Sequence, residues 1–325
     1  MSDAQTDAAA GEAALQALRA GGKREVAKAL ARLESWPDAA ETWALLDAAH
    51  RAEGGHVIGL TGPPGVGKSS LVNRLIAEWR GRGLTVAVLA VDPSSRRTRG
   101  ALLGDRTRIE TDPEDRGVFV RSMAARDRLG GLAEITWPCA ALMRALFDRV
   151  LIETVGVGQS ETEIADLADT VVLGVQPASG DALQFMKSGV METPHVLAVT
   201  KADLGGAARQ ALADLKGALT LAPPLQDGSR PVALACSSQS REGVSALIDA
   251  VEARAVGGTA RADRAARRWA ELALRERFGR RGLAAAANRF DSAAFAASPY
   301  SETGAVLSAL EAALNGALQE DRRSP

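Results

Sequence analysis

The chain has 325 residues, 46% of them apolar and only 4% aromatic, enough for one large domain with appendages or two small domains. Lys plus Arg number 39 against 40 Asp plus Glu, so no basic excess points to a nucleic-acid or anionic-membrane partner. Cys139 and Cys236 match no metal spacing and read as two buried thiols of a reducing compartment.

In chain order, residues 1–11 are small and polar and read as a disordered tail, with neither a secretory nor a transit-peptide pattern. No stretch reaches the roughly 20 apolar residues of a membrane helix, and a cytoplasmic location is expected. Residues 12–53 read as a helical segment. Leu15, Leu18, Val26, Leu30 and Leu33 recur at helical spacing, Gly21-Gly22 breaks one helix from the next, and Trp36-Pro37-Asp38 marks a boundary. Residues 54–253 then alternate strands with helices. Short apolar strands are predicted at 56–60, 85–91, 149–153, 170–175, 195–200 and 232–236, with a helix over 69–79. Nearly continuous apolar strands separated by helices imply a parallel sheet covered on both faces. Residues 254–325 carry no strand pattern and read as a helical arm, Arg-rich as far as Arg281 and then Ala-rich. Its Arg residues alternate with Glu and Ala, which fits a solvated or dimerising helix better than a nucleic-acid surface.

Gly62-Pro63-Pro64-Gly65-Val66-Gly67-Lys68-Ser69 fits G-x-x-x-x-G-K-[ST], follows a predicted strand and opens a predicted helix. Glycines let backbone N–H groups turn around a phosphate, and the helix N-terminus adds partial positive charge. Lys68 can reach β and γ oxygens, the Ser69 hydroxyl can bind magnesium, and Ser70 joins them at the helix start. A chance glycine-rich turn is the alternative, which the strand–loop–helix context opposes. The predicted fold is therefore α/β. It is a P-loop NTPase with a mostly parallel central sheet, an N-terminal helical prefix and a C-terminal helical arm.

Val150-Leu151-Ile152-Glu153 is an apolar strand ending in a carboxylate, the pattern of a Walker B element for magnesium. Glu153-Thr154-Val155-Gly156 resembles the D-x-x-G of many GTPases, with the Gly156 N–H placed to meet a γ-phosphate. No Gln directly follows Gly156, so slow intrinsic turnover is expected. Asp92 ends another strand at the edge where ligands gather in open α/β sheets. Between it and Asp105 runs a polar, Arg-rich loop. Two readings stand for it: a switch that holds Asp105 near the metal, or a solvated loop. Thr200-Lys201-Ala202-Asp203 resembles the guanine signature N-K-x-D with Thr in place of Asn. There a carboxylate accepts from guanine N1 and N2, which adenine cannot match. Cys236-Ser237-Ser238 could supply N–H groups to guanine O6. The alternative for Asp203 is a helix cap.

The P-loop resembles that of the MeaB/MMAA GTPases, also known as the ArgK type. So do Val88-Leu89-Ala90-Val91-Asp92-Pro93-Ser94-Ser95, Leu103-Gly104-Asp105, and the run from Glu153 through Val155 to Glu161. Gly180-Asp181-Ala182-Leu183-Gln184 with Lys187-Ser188-Gly189 resembles the family too, and the likeness covers about residues 12 to 255. Members of this family are chaperones of adenosylcobalamin-dependent acyl-CoA mutases. The resemblance implies that Lys68 and Ser69 hold phosphate and magnesium, that Asp92, Asp105 and Glu153 join the metal shell, and that Asp203 reads the base. It further implies that Asp181, Gln184 and Lys187 belong to a switch that relays nucleotide state to the mutase. Mg2+ and GTP or GDP are the implied ligands, adenosylcobalamin enters only through the partner, and a homodimer is implied. Departures are Thr200, a stretch Arg96 to Arg106 closer to the G-domain of fused isobutyryl-CoA mutase, and a C-terminal region that matches poorly. The chain carries no cobalamin-binding D-x-H-x-x-G, so the mutase is expected to be a separate polypeptide. Competing readings are a metal-insertion GTPase, which 3 His and 2 Cys do not favour, and a P-loop small-molecule or protein kinase.

Overall fold

The computed structural model describes residues 3–93, 109–125, 132–154, 160–177, 193–225, 227–254 and 260–321. In chain order the elements are α1 (Asp3–Ser35), α2 (Ala40–Arg51), β1 (His56–Thr61), α3 (Lys68–Gly81), β2 (Val86–Pro93) and β3 (Val118–Ala125). There follow α4 (Thr136–Leu146), β4 (Arg149–Glu153), α5 (Ser160–Leu167), β5 (Thr170–Val175), β6 (Val196–Val199), α6 (Gly206–Leu221) and β7 (Val232–Ala235). The chain continues through α7 (Val244–Glu252), α8 (Ala260–Ala286), α9 (Ala293–Ala297) and α10 (Pro299–Asp321). It divides into two compact units.

The larger unit comprises residues 54–136 and 147–258. Its sheet has seven strands in the order β3-β2-β4-β1-β5-β6-β7, with every pairing parallel. β1, β4, β5 and β6 are almost wholly buried, which explains their nearly unbroken apolar content. On one face Ile58, Leu60, Val88, Leu151 and Val172 pack with Leu71, Val72, Leu75 and Trp79 of α3 and Leu247, Ile248 and Val251 of α7. On the other, Leu173, Val175, Leu197 and Val199 pack with Ala208, Ala211 and Leu215 of α6. Gly59 leaves room for Ile164 of α5, since a Cβ there would lie 2.5 Å from that side chain. Strand order reverses about β1, because β4, β2 and β3 lie on one side of it and β5, β6 and β7 on the other. Ligands of open α/β sheets bind at the C-terminal edge of such a switch point.

The smaller unit comprises residues 1–53, 137–146 and 259–325, so both chain ends and most of α4 belong together. Asp47 of α2, nearly fully buried, accepts the Tyr300 and Ser301 N–H groups at the start of α10, at 2.9 and 3.1 Å. This supplies a carboxylate to the positive end of a helix. Tyr300 packs on Trp269 of α8 with centroids 4.8 Å apart, and Gly304 lets α10 approach Trp43.

Two expectations need correction. The disordered tail predicted for residues 1–11 is helical from Asp3. The Ala8-Ala9-Ala10 run has the highest helix propensity, and Gly11 is buried against the Ala44 carbonyl, where a Cβ would not fit. The strand β3 adds a seventh member to the six that the apolar runs predict. As an edge strand its Val118-Phe119-Val120-Arg121-Ser122 sequence mixes apolar and polar residues. Gly22 (φ 68°) does interrupt α1, as the Gly21-Gly22 pair predicts.

Candidate functional site

The loop after β1 turns back on itself at Gly62 (φ 141°), where a Cβ would lie 2.6 Å from the Gly174 carbonyl oxygen of β5. Gly67 (φ 99°), in a left-handed conformation, caps α3 and aims the helix N-terminus into the loop. The Lys68 ammonium folds over this loop and donates to the Gly62 and Pro63 carbonyls at 2.6 and 3.2 Å. The loop is thus anchored between β1 and β5 with its cation already drawn into it. Val66 is fully buried, while Pro64 and Gly65 lie at the surface.

Glu153 ends β4, in register with Leu60 of β1 and Ala90 of β2, and is 6% exposed. The Ser69 hydroxyl donates to its Oε1 at 2.9 Å. One hydroxyl and one buried carboxylate, both hard oxygen donors at the start of α3, suit magnesium and not a soft metal. Among the described residues no cluster of three His, Cys, Asp or Glu side chains could hold a metal alone, so any ion here needs further oxygens. Asp92 lies in β2, opposite Ala124 of β3. Its side chain, and Asp105, Gly156, Asp181, Gln184 and Lys187, fall outside the described residues.

Where the sequence predicts the base to bind lies a cavity of about 470 Å³ lined by Val66, Gly67, Ser70, Asn73, Thr200, Lys201, Asp203, Ser237, Ser238 and Gln239. Thr200, at the end of β6, is buried and donates through Oγ1 to the Val66 carbonyl at 2.7 Å. It thereby ties the base-side loop to the phosphate loop. Lys201 takes an unusual left-handed conformation (φ 55°) and donates to the Gly65 carbonyl at 3.0 Å. Asp203 follows in a short 3₁₀ turn and accepts from the Ser237 hydroxyl at 2.5 Å. The same Ser237 oxygen accepts the Gln239 and Ser240 N–H groups, at 3.2 and 3.1 Å. A hydroxyl that accepts two amides has its proton left for the carboxylate, so Asp203 is held in one orientation.

Of the three residues expected to offer amides to a base, two are occupied elsewhere. The Cys236 N–H donates to Val199 O at 2.8 Å, and the Ser237 N–H to Glu242 O at 2.8 Å. The Cys236 side chain packs in the core, where burial pushes its thiol up to about 12. Only the Ser238 N–H has no protein acceptor among the described residues. Sequence does not separate the three, because the distinction lies in which amide the loop's own hydrogen bonds use. Asn73 on α3 also lines the cavity, and sequence reasoning does not find it. Its position beyond the first turn of a helix gives no motif signal.

Comparison with known proteins identifies the family of the chain. The family model described as "Methylmalonyl Co-A mutase-associated GTPase MeaB" matches residues 26–282. A protein of Pyrococcus horikoshii named as a GTPase is 45% identical over 195 residues, which is 59% of this chain and 61% of that protein. The "Methylmalonic aciduria type A homolog, mitochondrial" of Caenorhabditis elegans is 39% identical over 198 residues, covering 60% of this chain and 50% of that protein. The matches therefore span less than two thirds of the length of these relatives. A crystal structure titled "LAO/AO transport system kinase" superposes with a TM-score of 0.62 at 25% identity, covering 90% of this chain and 97% of that one. The chain belongs to the family of methylmalonyl-CoA mutase-associated GTPases, MeaB.

Proposed function

We propose that the protein binds GTP with magnesium, hydrolyses it to GDP and phosphate, and serves as a G-protein chaperone of an adenosylcobalamin-dependent acyl-CoA mutase. The observation that carries the nucleotide half is the Asp203 carboxylate, oriented by Ser237 beside a cavity that opens on the phosphate loop. A carboxylate held in one orientation matches guanine N1–H and 2-amino, whereas adenine would turn the N1 lone pair and a C–H toward it. That same feature disfavours an ATP-dependent kinase.

In this reading the chain's groups act mainly by positioning and electrostatics. Lys68 exchanges its Gly62 and Pro63 carbonyl partners for β and γ oxygens of the triphosphate. The inward amides of residues 65–68 surround the β-phosphate. Ser69 and Glu153 would hold magnesium, with Asp92 and Asp105 as further oxygen ligands, and the ion would supply charge neutralisation to the polyphosphate. The Gly156 N–H meets the γ-phosphate, and Val157 in place of Gln leaves water unpositioned, so intrinsic turnover is slow. The mutase then raises the rate through the segment containing Asp181, Gln184 and Lys187, gating cofactor loading and protecting the mutase. The partner proposal rests on the family model and on the name of the nematode relative. We place the protein in the cytoplasm as a homodimer.

Calorimetry with GDP and ADP tests the base assignment, and tighter binding of ADP would overturn it. Phosphate release measured with and without a purified methylmalonyl-CoA mutase tests the chaperone role. The parent should be stimulated by the mutase, whereas Lys187→Ala should keep its basal rate and lose the stimulation. A mutase that changes neither rate nor its own inactivation would remove the partner assignment. Light scattering that returns the mass of a single chain would reject the dimer.

A further inference from the structure

Arg74 lies on α3 one turn beyond Ser70, so the two share a face of the helix. Ser70 lines the base-side cavity. The Arg74 guanidinium does not pair with the cavity's carboxylate. Instead it directs Nε and Nη2 together onto the Ser238 carbonyl, at 3.3 and 3.1 Å. Ser238 is the residue whose own N–H has no protein acceptor among the described residues, and it lines the cavity. The neighbouring amides are all committed: Ser237 N–H to Glu242, and those of Gln239 and Ser240 to the Ser237 hydroxyl. The Ser238 carbonyl shares one peptide plane with the Gln239 N–H, so Arg74 on the oxygen and the Ser237 hydroxyl on the amide fix that plane from both ends. With the Ser237 N–H also held by Glu242, the Ser238 N–H between these two anchors has little room to swing. A lysine, with a single point charge on a flexible stem, would grip that carbonyl less rigidly.

We propose that Arg74 is a specificity-positioning residue: by holding the Ser238 carbonyl it keeps the Ser238 N–H aimed at the 6-oxo group of the bound purine. This rests on the guanine-nucleotide reading above and deepens it. Arg74 does not line the cavity and acts through Ser238. The phosphate-loop helix thereby sets base selectivity as well as phosphate binding. The consequence is that Arg74 controls discrimination at purine position 6, while Asp203 controls discrimination at positions 1 and 2.

The test uses the full chain and titration calorimetry with GDP, 6-thio-GDP and ADP. 6-Thio-GDP keeps N1–H and the 2-amino group but replaces the 6-oxygen by a poor acceptor. The parent is expected to bind GDP about 10-fold tighter than 6-thio-GDP, the worth of one directed hydrogen bond. In Arg74→Met, GDP affinity falls about 10-fold while 6-thio-GDP affinity changes little, so the ratio approaches one. Arg74→Lys should lie between the two. Should Arg74→Met not fold, Arg74→Gln and Arg74→Lys carry the same comparison, with melting temperature recorded for each. Equal weakening of both nucleotides would make Arg74 a plain structural staple and overturn the proposal, as would a parent that binds the two alike. A parent that prefers ADP to GDP would instead refute the guanine reading, an outcome distinct from either.

Discussion

At the residue scale the site consists of donors and acceptors held in place by one another. Lys68 is drawn onto the Gly62 and Pro63 carbonyls and Ser69 onto Glu153. Lys68→Ala removes a cation that makes charge-assisted hydrogen bonds worth about 1.5–3 kcal/mol each. Calorimetry should show nucleotide affinity reduced by roughly 10²-fold or more, and retained affinity would contradict the loop assignment. Thr200 stands where the guanine signature usually has Asn, yet its hydroxyl reaches the Val66 carbonyl. Thr200→Val keeps the shape and leaves that carbonyl unpaired, at a cost of about 1–3 kcal/mol. GDP affinity and melting temperature should both fall in Thr200→Val and recover in Thr200→Ser. The motif residues are legible in sequence because a phosphate loop is a local object, with fixed spacing and fixed conformational needs. The commitment of the Cys236 and Ser237 amides to Val199 and Glu242 is not, because both acceptors lie outside the motif.

At the scale of elements, strands buried on both faces announce themselves by unbroken apolar runs, and β1, β4, β5 and β6 fall close to their expected spans. β3 does not, since an edge strand has one neighbour and tolerates Arg121 and Ser122 in its middle. β7 closes the other edge, with Val232 42% exposed. Stability should therefore grade across the sheet. Amide exchange read by mass spectrometry is expected to be about 10-fold or more faster in β7 than in β1, whose ladder is bonded on both sides. Uniform protection of the two would contradict this order. Helix α1 shows the converse error. Its polar, Ala-rich start reads as a tail because the contact that buries Gly11, on Ala44, joins residues far apart in the chain.

At the scale of the whole molecule, the smaller unit holds a buried histidine beside a carboxylate. His50 is 5% exposed, and its Nε2 lies 3.1 Å from Asp263 of α8. Burial lowers its pKa first, Asp263 opposes this, and Arg144 and Arg51 add to the lowering. Buried Asp47 and the Tyr300 ring pack in the same region. A histidine with a depressed folded pKa contributes full stability above its ordinary value near 6.5 and loses it as pH falls through the folded value. The melting temperature should therefore drop as pH falls below about 6.5, and His50→Gln should flatten that slope. An unchanged slope would remove His50 as the source.

The sequence alone determined the GTPase family, because a phosphate loop is a short segment whose residue types are dictated by what its own backbone must do. It also determined the parallel sheet, because burial on both faces leaves a strand no choice but apolar residues. Only tertiary structure decided that the two ends of the chain and most of α4 build one unit, that among the three candidate amides Ser238 alone stays open, and that Arg74 holds it. Each of those depends on which distant carbonyl or carboxylate a donor meets, and hydrogen-bond partners far apart in the chain leave no periodic trace along it.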